Sequence, residues 1–410
     1  MGKKKANGEG SISKRKDGRY MGRYTVDGKR KAVYGATYAE ARAKLNKVLS
    51  EIDRGEYIEP TKETVGSWTN MWLVTYALPS VKQSTYISYE GYVRLHIVPA
   101  LGDVRLTSLS METCQNFFNM LQRKKKLSPK TIRNIYNMFH YALDQATINR
   151  KIIRNPLLGI KLPKNEKKEL IVFDRDEQAK LQAAAMAAPE IQAFGVIFTL
   201  NTGLRLGELI GLRWDDVDFF KHSIRIRRTV GRLQKVDEDG KLVKKADGVK
   251  TTELVIRTPK SSKSQRTIPL FDELWNGLME YQKKQKEMMD ALGMDYDKNG
   301  YIFGTATGKV YDPRVYEDLY KRCLRDAGLR SIKFHALRHT FATRALEAGM
   351  DIEVLSKLLG HAQASTTLNL YGHVLPDHKK DSMGKMSAYY MNPISNNANG
   401  DAYETVTMAS

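Results

Sequence analysis

The first 55 residues alternate apolar and polar positions in short runs, which is the pattern of β-strands. Asp-Gly dipeptides at 17–18 and 27–28 separate these runs and favour the tight turns of hairpins. We therefore predict strands at residues 11–13, 20–26 and 31–34. Thr37 and Glu40 have the spacing of a capping box, and apolar positions then recur at helical spacing over 39–52. The prediction for residues 1–58 is a three-stranded sheet followed by one helix.

Residues 63–162 carry apolar positions mainly at helical spacing. Four helices are predicted, and they open near Thr64, Ser84, Ser110 and Ser128. The fourth start is the clearest, because Pro129 follows Ser128 and proline favours the first helical position. This part of the chain is predicted to be an all-α domain.

Residues 170–375 have the pattern of a larger mixed domain in which helices dominate. Short apolar runs at 223–226, 254–257 and 266–270 predict a small antiparallel sheet within it. Residues 231–250 are polar and contain glycines, so we expect a long exposed hairpin or loop there. Residues 376–410 are rich in Asn, Ser and Ala, and we expect a poorly packed C-terminal tail.

The net charge of the chain limits the classes of partner that it is expected to bind. Lysine and arginine outnumber aspartate and glutamate by 67 to 46, and the resulting net charge of +21 attracts polyanions. A membrane-surface protein is the main alternative, but the sequence lacks the amphipathic basic helix that such a protein uses. It also lacks the long apolar stretch of a membrane span and the apolar run of a signal peptide. Nucleic-acid binding is therefore expected.

The spacing of the cysteines and of the acidic residues argues against a metal site and against disulfide bonds. The two cysteines, Cys114 and Cys323, are far apart and have neither zinc-ligand nor disulfide spacing. This usage suits a reducing cytoplasm. No acidic cluster has metal-ligand spacing, so we expect no metal and no other cofactor.

Two basic regions are candidates for DNA contact. Residues 1–31 contain 11 Lys and Arg against 3 Asp and Glu, a net charge of +8 (11 minus 3), and tyrosines interleave with these charges. A sheet face that carries Arg and Tyr can enter a DNA groove. The candidates here are Arg19, Tyr20, Arg23 and Tyr24. Around the start of the fourth predicted helix the candidates are Lys125, Lys130 and Arg133. The alternatives are a solubilising tail and a solvated helix rim.

Four local patterns carry residues suited to chemistry. They are Arg205 with Glu208 in the segment 202–208, His335 with Arg338, His361 directly after Gly360, and Tyr371. Each pattern alone is weak, because an Arg–Glu or His–Arg pair on one helix face is usually a surface feature. Gly360 is expected to end a helix in a left-handed conformation, which places His361 just beyond the helix terminus.

In combination and order, these patterns resemble those of the tyrosine recombinase family. His361 follows Arg338 by 23 residues and Tyr371 follows His361 by ten, which are separations typical of that family. Residues 63–162 resemble the SAM-like core-binding domain of these enzymes, and residues 1–58 resemble the arm-type DNA-binding domain of integrases. The resemblance implies a multidomain tyrosine recombinase fold in which residues 170–375 form a mainly-α catalytic domain with a small antiparallel sheet.

The resemblance also implies a role for each cation. Arg205 and Arg338 would stabilise the negative charge that builds on a DNA phosphate during attack, and Glu208 would hold the Arg205 guanidinium in place. The family uses one further lysine, located on a hairpin, as the acid that protonates the departing 5′ oxygen. We favour Lys260 over Lys263 for this role.

By the same resemblance, Tyr371 is the nucleophile, His335 the base that takes its proton, and His361 a hydrogen-bond donor to a non-bridging phosphate oxygen. The product would be a 3′-phosphotyrosine with a free 5′ hydroxyl. This bond keeps the phosphodiester energy, so rejoining to a partner strand would need no ATP. With Lys260, the two arginines would provide three cations, so a metal ion would not be required. No Walker-type phosphate loop occurs in the sequence.

The implied activity is site-specific integration and excision of a mobile element, either a prophage or a conjugative transposon. The expected partners are double-stranded DNA at core and arm attachment sites, three further copies of the chain in a homotetramer, an excisionase and a host DNA-bending protein. No membrane partner is expected, and the place of action would be the bacterial cytoplasm, at the nucleoid.

Four other functions are less favoured. The complete catalytic set argues against a DNA-binding protein that does not cut, and the arm-like N-terminal region argues against a type IB topoisomerase. Recombinases that resolve chromosome dimers lack a segment like residues 1–55. A metal-dependent transposase would need three separated carboxylates and would stop working with EDTA.

Overall fold

The computed structural model describes residues 10–26, 28–55, 57–59, 62–164, 170–246, 249–257, 265–297, 299–361, 363–372, 383–384 and 386–387. The chain divides into two compact units. The first comprises Met1–Lys167 together with Gln234–Thr251, and the second comprises Lys168–Leu233 together with Thr252–Ser410.

The first unit begins with the predicted three-stranded sheet and helix. The strands are β1 (Ser11–Lys14), β2 (Tyr20–Val26) and β3 (Lys29–Gly35), which pair antiparallel in that order, and the helix is α1 (Tyr38–Asp53). Thr37 caps α1 by accepting a hydrogen bond from the Glu40 N–H at 3.2 Å. In a capping box the Glu40 carboxylate would accept from the N–H of Thr37. Here it accepts instead from the N–H of the preceding residue, Ala36, at 2.8 Å.

The two faces of this sheet differ, because side chains alternate along a strand. Gly22 faces α1, since a Cβ there would lie 3.2 Å from the side chain of Leu45. Tyr24 shares that face, is 6% exposed, and its hydroxyl lies 3.0 Å from that of Tyr57. Tyr24, a predicted DNA contact, thus lies in the small core because of the strand period, whereas Arg23 is exposed on the opposite face.

The remainder of the first unit is helical, as predicted. Its helices are α2 (Val65–Trp72), α3 (Leu78–Ser80), α4 (Gln83–Tyr92), α5 (Val98–Leu101), α6 (Met111–Arg123) and α7 (Pro129–Ile148). A π-helical turn joins α2 to α3, and another joins α4 to α5. The core is well anchored: Trp68 is fully buried and its indole N–H donates to the Ala142 carbonyl at 2.8 Å.

Residues Gln234–Thr251 pack with the first unit, although the segments before and after them in the sequence belong to the second unit. The Tyr86 hydroxyl donates to the Gly240 carbonyl at 2.7 Å, and the Gln83 amide donates to the Gln234 carbonyl at 3.2 Å. Gly240 is buried with φ +76°, and a Cβ there would approach the Tyr86 hydroxyl to 2.5 Å. The prediction of an exposed loop is thus wrong at this glycine, which packs against α4 because it lacks a side chain.

The second unit combines helices with two small sheets. The helices are α8 (Arg175–Ala187), α9 (Phe194–Thr202), α10 (Leu206–Leu209), α11 (Asp272–Ala291), α12 (Pro313–Asp326), α13 (His335–Glu347), α14 (Ile352–Leu359) and α15 (Ala364–Tyr371). The strands are β4 (Val217–Asp218), β5 (Ser223–Ile226), β6 (Thr229–Gln234), β7 (Thr252–Arg257) and β8 (Arg266–Pro269).

The strand pairing differs from the sequence expectation. In the described part of the chain, β4, β5 and β8 form one antiparallel sheet, and β6 pairs with β7 in another. Residues 254–257 and 266–270 therefore belong to different sheets in the described part of the chain, and β6 occupies the start of the expected loop. Ile268 lies opposite Ile224, and both are buried, so pairing β8 with β5 places their apolar side chains in the core.

Among the described residues, no helix is long and apolar enough to cross a membrane. Cys114 and Cys323 are both buried free thiols.

Candidate active site

The segment that carries Arg205 depends on Gly203. Helix α9 ends at this glycine, which has φ +65°, and a Cβ there would lie 2.5 Å from the Phe341 ring and 2.9 Å from the Leu359 side chain. A larger residue would meet both a strained backbone and a clash. The turn that follows places Arg205 at the start of α10, where its side chain is 39% exposed.

Glu208 is bonded to two arginines. Its Oε1 accepts from Nη1 of Arg205 at 2.8 Å, which is the contact predicted from the sequence. Its Oε2 accepts from Nη2 of Arg266 at 2.8 Å, and Arg266 Nη1 lies 3.2 Å from Oε1. Burial alone raises the pKa of Glu208, but the hydrogen bonds and charge of Arg266, together with Arg205, lower it to about 2. The carboxylate therefore stays ionised and holds both guanidinium groups.

Arg266 is a site residue that the sequence analysis did not select. It is 8% exposed on β8, and its Nε also donates to the Leu358 carbonyl at the end of α14. A signal was present, because Arg266 shares a strand face with the apolar Ile268 and an inward-facing arginine requires a partner. Arg266 thereby connects the central sheet, Glu208 and the end of α14.

Arg338 is held by the ends of two helices. It is 1% exposed, its Nη1 donates to the Gly203 carbonyl at 2.8 Å, and its Nη2 donates to the Leu359 carbonyl at 2.6 Å. Carbonyls at helix C-termini carry partial negative charge, which favours a cation. Burial lowers the pKa of Arg338 to about 9, with a further contribution from Arg205. The group remains charged at neutral pH in a fixed position.

His361 occupies the turn after α14 that the sequence predicted. Gly360 ends the helix with φ +66°, and Nδ1 of His361 lies 2.7 Å from the Thr367 hydroxyl on α15. Burial, with the charges of Arg338 and other nearby cations, lowers the pKa of His361 to about 4, so the ring is neutral at pH 7. The contact with Thr367 restrains the ring and leaves Nε2 for another partner.

Tyr371 is the last residue of α15 and is 1% exposed. Its hydroxyl lies 2.6 Å from Nδ1 of His339. Burial raises the pKa of Tyr371 to about 12, while the charges of Arg338 and Arg205 act in the opposite direction. At neutral pH the phenol is therefore protonated and needs a proton acceptor before it can attack.

His339 was not selected from the sequence either. It lies four residues after His335 on α13, and residues at that spacing share a helix face. The two rings are nearly perpendicular, with centroids 4.7 Å apart. His335 is exposed, and its pKa is lowered by partial burial and by the charges of His339, Arg338 and Arg205. The i to i+4 spacing was the available signal for His339.

The structure thus brings five of the six predicted catalytic residues into one cluster, since the charges of Arg205 and Arg338 both act on His335, His361 and Tyr371. The sixth, Lys260, and its alternative Lys263 lie outside the described residues. Within the described ranges, no group of three or more His, Cys, Asp or Glu could hold a metal ion.

The predicted DNA-contact residues are in the first unit. Lys125, Lys130 and Arg133 are exposed around the start of α7. Arg19 is exposed next to Asp17, with which it forms an ion pair at 3.3 Å. Tyr20 lies on the same strand face as Tyr24, and its ring packs edge-on against Tyr38 of α1.

Comparison with known proteins decides the family. The phage integrase family matches residues 161–378, and the phage integrase N-terminal SAM-like domain matches residues 64–122. The chain belongs to the phage integrase family. This integrase is 32% identical over 375 residues to a XerC-like tyrosine recombinase of Caldanaerobacter subterraneus subsp. tengcongensis, covering 88% of this chain and 92% of the relative. It is 27% identical over 267 residues to the ICEBs1 integrase of Bacillus subtilis, covering 63% and 66% of the two chains. The predicted membership in the tyrosine recombinases is confirmed.

Solved structures confirm the predicted fold of this integrase. The Tn1549 transposon integrase in complex with a circular intermediate DNA has a TM-score of 0.63 at 22% identity, covering 79% of this chain and 99% of that one. A lambda integrase tetramer bound to a Holliday junction has a TM-score of 0.55 at 19% identity, covering 89% and 96%. The fold is that of the tyrosine recombinases.

Proposed function

We propose that this integrase cuts DNA by attack of Tyr371 on a phosphodiester and rejoins the strand to a new partner, so that a mobile element is integrated and excised. The observation that carries the proposal is the position of the Tyr371 hydroxyl, which is bonded to an imidazole within the field of Arg205 and Arg338. A nucleophilic phenol requires both a proton acceptor and nearby positive charge.

The two arginines stabilise the charge that develops on the phosphate. Backbone carbonyls hold Arg338 and a carboxylate holds Arg205, so neither guanidinium has to reorganise during the reaction. Arg205 is partly exposed and presents its remaining N–H groups to a phosphate that enters from solvent. Neutral His361 donates from Nε2 to a non-bridging oxygen if Thr367 donates to its Nδ1.

The departing 5′ oxygen takes its proton from a lysine. The resemblance implies a lysine on a hairpin, and we favour Lys260 for this role, with Lys263 as the alternative. Cleavage yields a 3′-phosphotyrosine and a 5′ hydroxyl. The phosphodiester energy is stored in the new bond, so the cycle uses no ATP, and the fixed cations replace a metal ion.

The proposed partners follow from the relatives. The neighbouring structures contain a transposon integrase on DNA and a lambda integrase tetramer on a Holliday junction. We expect this integrase to act in the same way, as a tetramer on core sites, with residues 1–58 bound to arm sites and with an excisionase and a host DNA-bending protein. Its place of action would be the bacterial cytoplasm.

Incubation of Tyr371→Phe with a nicked attachment-site duplex, followed by a denaturing gel, tests the proposal. The variant should bind the duplex and form no covalent adduct. Tyr320→Phe is a matched control: Tyr320 is buried on α12, and its hydroxyl has no hydrogen-bond partner among the described residues. The control should form the adduct normally, whereas an adduct in Tyr371→Phe would exclude Tyr371 as the nucleophile.

A second experiment tests the arm-type domain. Deletion of residues 1–55 should spare cleavage at the core site and impair integration. Arg23→Ala is a milder variant of the same test, because Arg23 is exposed on the open face of the sheet. Unchanged affinity of both variants for accessory sites would exclude an arm-binding role for this domain.

A further inference from the structure

We propose that His339, rather than His335, is the base that accepts the Tyr371 proton during cleavage and returns it during rejoining. The proposal rests on the proposed function and assigns one step of it. Its foundation is the contact of 2.6 Å between Nδ1 of His339 and the Tyr371 hydroxyl. General-base catalysis requires such a distance between the base and the proton that it removes.

The geometry favours this contact over the alternative. His339 lies one turn further along α13 than His335, and its ring contacts both the His335 ring and the phenol ring of Tyr371. The ring centroids of His339 and Tyr371 are 5.8 Å apart. His335 is the exposed member of the pair, at the beginning of the helix. It is therefore better placed to meet an incoming phosphate than to meet the phenol.

The surrounding charges keep His339 able to accept a proton. Burial and the nearby Arg338 lower the pKa of His339, so its ring is neutral at pH 7 and one ring nitrogen is a free lone-pair acceptor. The other groups that act on the pair are His335 on the same helix and Arg205 at the start of α10. The phenol is protonated at this pH, and it donates to Nδ1 in the tautomer of His339 that carries its hydrogen on Nε2.

The proton balance of the step is complete. As Tyr371 Oη forms its bond to phosphorus, the phenolic proton passes to Nδ1 of His339, and the breaking P–O5′ bond leaves an oxygen that the lysine protonates. In rejoining, the incoming 5′ hydroxyl gives its proton to the lysine and attacks phosphorus. The P–Oη bond breaks, and the phenolate recovers its proton from the imidazolium of His339.

Single-turnover cleavage of an attachment-site duplex that carries a 5′-bridging sulfur distinguishes the base that deprotonates Tyr371 from the acid that protonates the leaving group. A thiolate leaving group needs no acid, so only loss of the base remains rate-limiting. His339→Asn can still accept a hydrogen bond from the phenol but cannot take up its proton. We expect it to be slower than wild type by about 10²- to 10⁴-fold at pH 7. Its rate should rise about tenfold per pH unit as phenolate forms, whereas the wild-type rate should be flat.

His335→Asn is the matched comparison and should be slower without acquiring that slope. His339→Gln is a second variant, and binding of the same duplex shows that each protein is folded. A wild-type rate and a flat profile in His339→Asn would reduce His339 to a positioning residue and overturn the proposal. A slope in His335→Asn alone would return the role to His335. Both outcomes leave Tyr371 as the nucleophile, which the phenylalanine variant tests separately.

Discussion

The carboxylate of Glu208 is predicted to be a main electrostatic support of the second unit, which carries the proposed active site and is the catalytic unit of the proposal. Glu208→Gln keeps the size of the side chain and removes the charge that two guanidinium groups share. Glu208 and Arg266 are 4% and 5% exposed at the side chain, and their contact is 2.8 Å long. The substitution removes one charged member of this buried ion pair, which costs roughly 3–5 kcal/mol.

The pKa of Glu208 gives a second estimate of the stability lost in Glu208→Gln. The folded pKa is about 2, against 4.5 for an unperturbed glutamate. A depression of this size corresponds to about 3 kcal/mol of stability when the carboxyl is ionised in both states. Because the folded pKa is the lower one, this stability is present above pH 4.5 and is lost as the pH falls from 4.5 towards about 2. The free energy obtained from the pKa and the cost of breaking the buried ion pair are therefore similar in size.

Hydrogen exchange of peptides from α9 and α13, measured by mass spectrometry on the full chain, reports the stability of the catalytic unit separately. At pH 7, Glu208→Gln should lose about 3 kcal/mol or more, and the difference from wild type should shrink below pH 4.5. Glu280→Gln is the control, because its ion pair with Lys284 is 3.8 Å long and exposed. It should change stability by less than about 1 kcal/mol. Equal effects of the two variants, or a difference that does not depend on pH, would refute the reasoning.

Three further substitutions test the supports of the site. Thr367→Val should bind DNA normally but cleave about three- to tenfold more slowly in single-turnover assays, since His361 loses one hydrogen bond; an unchanged rate would contradict this. Gly203→Ala should destabilise the catalytic unit by about 2 kcal/mol or more, because Gly203 has a positive φ and side chains approach it closely. Hydrogen exchange in α9 that equals the wild-type rate would contradict this prediction. Arg266→Lys should reduce cleavage although the charge is kept, because a single ammonium cannot make two parallel bonds to Glu208 and the bond to the Leu358 carbonyl at once. Full activity would show that charge alone suffices.

Local patterns were sufficient to predict most elements of this integrase. The Thr37, Ser110 and Ser128 caps and the left-handed Gly360 lie within a few residues of the helix ends that they determine. Their hydrogen bonds and backbone preferences operate over one turn, so they can be recognised without tertiary structure. The order and spacing of Arg205, the residues around Arg338, and Tyr371 likewise predicted the family.

The strand period, which can also be recognised in the sequence, separates the two faces of a strand. It places Tyr24 on the face opposite Arg23, and it places Arg266 beside the buried Ile268. The period therefore predicts that Tyr24 packs in the core and that Arg266 needs a buried partner.

Other features required the tertiary structure, because they join residues that are remote in the chain. The bond between Arg266 and Glu208 spans 58 positions, and the contact between His339 and Tyr371 spans 32. Whether β8 pairs with β5 or with its sequence neighbour depends on which arrangement buries Ile224 and Ile268 together. The elements and the types of the candidate catalytic residues can be predicted from the sequence, since they depend on neighbouring residues. Which imidazole meets the phenol and which arginines share the carboxylate follows from the packing that brings those helices and strands together.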